Sequence, residues 1–95
     1  MKEDELLEKL IELARSLNID VRTVRGKFRD GACRVEERNL ILLNRTSPLP
    51  RRITALAEAL SDRPLENVFL LPAVRDVIDK ARRESAAYPA ENKNE

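Results

Sequence analysis

Ninety-five residues, 42% apolar and 37% charged with a net charge of +1, suit one small folded domain with little margin in its core. The chain has no histidine and one cysteine, Cys33, which excludes imidazole metal sites, Ser-His and Cys-His pairs, an imidazole general base, an internal disulfide and a cysteine-based zinc site. No apolar run approaches the roughly 18 residues of a membrane span, and the acidic start Met1-Lys2-Glu3-Asp4-Glu5 lacks the basic-then-apolar order of a signal peptide, so a cytoplasmic location is expected.

Residues 4–17 are expected to form the first helix. Leu6, Leu7, Leu10, Ile11, Ala14 and Leu17 recur at spacings of three and four, with Asp4 as N-cap or first-turn acid and Asn18 as terminator. Residues 19–28 are rich in β-branched residues and break any helical stripe, so they read as a strand with imperfect alternation, with Gly26 marking a bulge or bend. Asp30-Gly31 is the pair that accepts a tight hairpin turn. Cys33–Glu36 alternates as a second strand, Glu37-Arg38-Asn39 makes a turn, and Leu40-Ile41-Leu42-Leu43 is a third strand, apolar on both faces.

Thr46-Ser47-Pro48 reads as a helix start, a hydroxyl cap followed by proline. Leu49, Ile53, Leu56, Ala57 and Leu60 form that helix's buried stripe, and it stops near Ser61, before Pro64. Residues 65–71 fit either a helical turn or an extended apolar segment. Pro72 opens a last helix with Val74, Val77, Ile78 and Ala81 inward, and a disordered tail is expected from Ser85. The expected fold is a single α+β domain over residues 1–84. A three-stranded antiparallel meander packs one face against two to three helices, in the order α-β-β-β-α-α.

The third strand sets a problem for this fold. With Leu40 and Leu42 toward the helices, Ile41 and Leu43 point outward. Either residues 65–71 or the last helix cover them, or they form a self-association surface and the chain is a homodimer.

Charge is unevenly spread. Residues 1–21 carry three basic and six acidic side chains, 22–52 nine basic and three acidic, and 53–95 six basic and eight acidic. Arg22, Arg25, Lys27, Arg29, Arg34, Arg38, Arg45, Arg51 and Arg52 are therefore candidates for binding anions, phosphates above all. Single-strand binders add aromatic platforms, and Phe28 is the aromatic in this segment. The plainer expectation is a solvated face, partly paired with Glu36, Glu37 and the acidic first helix. Cys33 is expected as a small buried residue. Asp76 and Asp79, between Arg75 and Lys80, are expected on a salt-bridged helix face. No nucleophile, glycine-rich loop or carboxylate cluster accompanies them, so no catalytic residue, metal or cofactor is assigned.

Gly31-Ala32-Cys33-Arg34-Val35, Leu40-Ile41-Leu42-Leu43-Asn44, Ile53 to Leu60 and Leu71-Pro72-Ala73-Val74-Arg75 resemble, across about residues 5–80, a group of short bacterial proteins of unassigned function. That resemblance implies a fold and no activity. The order of a helix, a small sheet ending in the strand Ile41-x-x-Asn44, then a helix entered through Arg and Thr is similar to the start of the ImmA/IrrE-type zinc peptidases. Their His-Glu-x-x-His motif would fall on Ala57, Glu58, Ala59, Leu60 and Ser61. Glu58 matches, while Ala57 and Ser61 replace both histidines, so the likeness implies an inactive remnant whose vestigial position is Glu58. Ala57 and Ser61 side by side over a groove would support it. The leading reading is a non-catalytic protein-interaction or structural domain. The alternatives are a nucleic-acid-associated domain using residues 22–52 and that remnant.

Overall fold

The computed structural model describes residues 1–35 and 38–87, with side chains described outside 33–35 and 86–87. The element order is as expected: α1 (Glu3–Ser16), β1 (Asp20–Val24), β2 (Gly31–Val35), β3 (Arg38–Asn44), α2 (Leu49–Ser61) and α3 (Pro72–Ala87).

Helix α1 starts one residue before the expected Asp4. Glu5 reaches back to accept from the Lys2 backbone N–H at 3.2 Å, and Glu3, Asp4 and Glu5 favour the positive end of the helix. Its end is fixed by Asn18, whose φ of 65° is left-handed. Asn18 N–H donates to Arg15 O at 3.0 Å and Ile19 N–H to Ala14 O at 3.0 Å, the paired bonds of a Schellman motif. Ile19 then turns into the core at 2% exposure.

The sheet is mixed and not an antiparallel meander. Its order is β1-β3-β2. β1 pairs parallel with β3, from Asp20↔Leu40 to Val24↔Asn44, and β2 pairs antiparallel with β3, from Gly31↔Leu42 to Val35↔Arg38. The longest strand, apolar on both faces, takes the central position because it has most to gain from flanking neighbours. Residues 25–30 therefore cross the end of β3 instead of closing a hairpin. Asp30-Gly31 is not a hairpin turn: Gly31 opens β2, and no glycine has a positive φ.

The parity of β3 is the reverse of the expectation. Ile41 and Leu43 are 1% and 0% exposed and face the helices, with Leu40 and Leu42 half-buried on the outer side. Register places Val21 beside Ile41 and Thr23 beside Leu43 on the inner face. Covered by their own chain, Ile41 and Leu43 form no self-association surface. Helix α1 packs on β1, and α2 packs on β2, β3, α1 and α3. Leu10, Leu56, Leu60 and Ile78 complete the fully buried centre.

Helix α2 has no hydroxyl cap. Pro48 holds the N-cap position without a side-chain bond, because Thr46 and Ser47 turn their hydroxyls to Asn44 and Asp30. Residues 62–71 form a turned connector that buries Leu65 and Leu70 and leaves Phe69 83% exposed. From α3, Arg82 reaches across to cap the end of α2, donating to Ser61 O at 2.9 Å and Arg63 O at 3.0 Å. Val74, Ile78 and Ala81 are buried as expected, with Val77 partly so. Helix α3 continues past Ser85 to Ala87, later than the expected onset of a tail. Arg38 and Asn39, expected in a turn, belong to β3, and residues 88–95, Glu36 and Glu37, and the side chains of Cys33 and Arg34 lie outside what is described.

Candidate functional site

The crossover of residues 25–30 and the exit from β3 meet at one end of the sheet. Asn44, 4% exposed, joins them. Its Nδ2 donates to Gly26 O at 2.7 Å and Phe28 O at 2.8 Å. Its Oδ1 accepts from Thr46 N–H at 3.1 Å and Thr46 Oγ1 at 2.8 Å. All the capacity of the amide to bond is thus spent on holding two loops together. Asp30 adds a second tie: its carboxylate accepts from Asn44 N–H and from Ser47 Oγ, each at 2.6 Å. Partial burial works against its charge, but those two bonds, with the Arg51 guanidinium nearby, outweigh it and hold the carboxyl below its ordinary value. Arg45 N–H donates to Val24 O at 2.8 Å and closes the end of β1.

This lacing fixes where the basic side chains go. Arg25, Lys27 and Arg29 stand exposed on the crossover, Arg45 on the turn after β3 and Arg51 in the first turn of α2, with Arg52 half-buried beside it. Three stretches of chain thereby bring six cations to one pole, beside the positive end of a helix. Arg52 leans back, its Nε donating to Ser47 O at 3.2 Å. Phe28 lies half-buried among them, its ring carbons 3.0 Å from where a Cβ on Gly26 would stand. Glycine there leaves room for the ring to approach the loop this closely. A cleft of about 260 Å³ runs from Phe28 and Arg29 past Asp30, Ser47 and Arg51 to Thr54 and Glu58.

The other candidates lie elsewhere. Arg22 is on the outer sheet face, paired with Asp20 at 3.0 Å, and lines a shallow depression there with Arg38, at the opposite end of β3. Among the described residues the ion pairs are Arg22–Asp20 and Lys9–Glu12. The six polar cations therefore have no carboxylate partner among the described residues, and Asp76 and Asp79 are not salt-bridged to Arg75 or Lys80. Glu58 is exposed at the join of the cleft and a second groove, which Ser61 also lines. Ala57 is 2% exposed, in the core, so Ala57 and Ser61 are not side by side over a groove. Ser61 Oγ donates to Glu58 O at 2.7 Å, a bond within the helix.

Sequence reasoning missed Asn44 and Asp30 as the ties of this pole. An amide ending an apolar strand was their one visible signal. Among the described residues no group of three or more carboxylates or thiols could hold a metal ion, and no helix is long and apolar enough to cross a membrane. The chain matches no family model, no curated protein and no solved structure.

Proposed function

We propose that the crossover pole binds a single-stranded nucleic acid, and that the chain is a binding domain and not an enzyme. One observation carries this reading: Arg25, Lys27, Arg29, Arg45, Arg51 and Arg52, from three separate segments, converge on one end of the molecule without carboxylate partners among the described residues. Cations gathered in this way raise the local potential and release counterions when they meet phosphates. The half-buried Phe28 ring among them supplies a surface on which an unpaired base can stack. Asp30, held ionised by Ser47, Asn44 and the nearby Arg51, offsets one of the six positive charges and leaves the pole basic.

The test is fluorescence anisotropy with a labelled single-stranded oligonucleotide. Contact with about four phosphates implies a roughly fifty-fold loss of affinity between about 50 and about 200 mM salt. The triple variant Arg25→Glu, Lys27→Glu, Arg29→Glu abolishes binding, and Phe28→Leu, which keeps cover over Gly26 without an aromatic face, weakens it about ten-fold, within the range of one stacked base. No binding at low salt, or equal affinity for duplex of the same length, overturns the reading.

A further inference from the structure

The sheet ends one strand short of its helical layer. β2 is one of the two edge strands, so its backbone groups on the side away from β3 have no strand partner among the described residues. Such an edge is a template for another strand. Beyond it lies a groove of about 530 Å³ between β2 and the helices α2 and α3. Its walls are small: Gly31 and Ala32 on β2, Ala55 and Ala59 on α2, Ala81 on α3. α2 packs on β2 and α3 on α2, and Ala81, Glu84 and Ser85 bring α3 to the same groove; a fourth strand would lie about 4.8 Å beyond β2.

The rim of this groove is acidic. Glu58 on α2, Asp62 just past its end and Glu84 on α3 line it, all exposed, and none of the described side chains that line it is basic. None of the three has an ion-pair partner among the described residues. Arg83, next to Glu84 in sequence, does not line the groove, and Arg82 is turned to the carbonyls of Ser61 and Arg63.

The geometry points to a second binding site, in which an extended segment of a partner protein adds to the free edge of β2 with lysine or arginine at the alternate positions that face α2. The spacing fits. Glu58 and Asp62 stand one turn apart, about 6 Å along the helix axis, and alternate side chains of a strand are about 6.7 Å apart on one face. The stems of those alternate side chains cross the alanine floor to reach the acids, and the residues between them face away from α2. Backbone bonds to the edge give affinity, and side chains set choice, as in other strand additions. The groove meets the basic cleft at Ala55 and Glu58, but the edge of β2, Asp62 and Glu84 lie outside that cleft, so Glu84→Lys tests this site apart from the basic pole.

A labelled peptide alternating lysine with threonine or serine, titrated against the whole protein, tests this. The expected result is binding weakened at least ten-fold when glutamate replaces lysine, and at least ten-fold in the variants Glu58→Lys with Asp62→Lys, and Glu84→Lys. All three positions are exposed, and circular dichroism checks that the variants fold. The same peptide N-methylated at alternate amides on the edge-facing side loses binding. Equal binding of the N-methylated peptide shows mere charge attraction and overturns the strand addition. Equal binding of the glutamate peptide overturns the basic partner. A dimer that Glu58→Lys dissolves, with no peptide bound, puts a second copy there and overturns both.

Discussion

Asn44 is the buried polar side chain of the described core, and each of its polar atoms is paired. Asn44→Ala strands the carbonyls of Gly26 and Phe28 and the amide of Thr46, and water replaces those bonds only in part. The expected loss is about 2 kcal/mol in a urea melt, in line with buried groups left unsatisfied. Asn44→Asp loses more, because a carboxylate then faces two carbonyl oxygens. Asp30 makes a separate prediction, about pH. Its pKa is lower in the folded protein than the ordinary 3.8, so its contribution is fully present above that value. It is lost as pH falls through the lower, folded value. The wild type therefore loses stability between about pH 5 and strongly acid solution, and Asp30→Asn, weaker throughout, loses less over the same range. Parallel acid titrations of chemical stability read the difference.

Among the elements, the end of α1 was legible and the sheet was not, for reasons of reach. Asn18 closes its helix through its own φ and bonds three and five residues away, so the signal is local. Asn18→Gly keeps the left-handed turn at little or no cost. Asn18→Val forces a branched side chain into that region and is expected to lose about 1–2 kcal/mol in thermal or urea unfolding. The buried stripes of α1, α2 and α3 were equally local and fell where spacing put them. Strand order depends instead on which strand occupies the centre, a choice settled between segments some twenty residues apart, as in Asp20↔Leu40. Asp-Gly is a true turn signal in isolation. Here Asp30 gains more from Ser47 and Asn44, contacts invisible until the crossover is folded. The basic pole was half legible for the same reason. The excess of cations in residues 22–52 is plain, but Arg22 and Arg38 leave for the outer face, while the other described cations converge only once β1 and β3 run parallel.

At the scale of the whole molecule the question is which face of the sheet the helices cover, and the parity of one strand answers it. An apolar strand read alone has two equivalent faces, since a shift of one residue exchanges them. The partners break the tie: β1 offers Val21 opposite Ile41 and Arg22 opposite Leu42, so only one orientation keeps the guanidinium in water. Neighbouring residues on β3 should then respond very differently to the same change. Ile41→Ala, at a position 1% exposed, is expected to lose about 2–5 kcal/mol. Leu40→Ala, half-buried on the outer side, is expected to lose roughly 1 kcal/mol. Ile41→Asp separates the covered-core account from self-association. If Ile41 met a second subunit, the aspartate would yield a folded monomer. In this fold it places a charge under α1 and α2, so the chain unfolds at every protein concentration. Sedimentation and circular dichroism on one sample distinguish the two, and a well-folded Ile41→Asp monomer would show that the helices do not cover this side of the sheet.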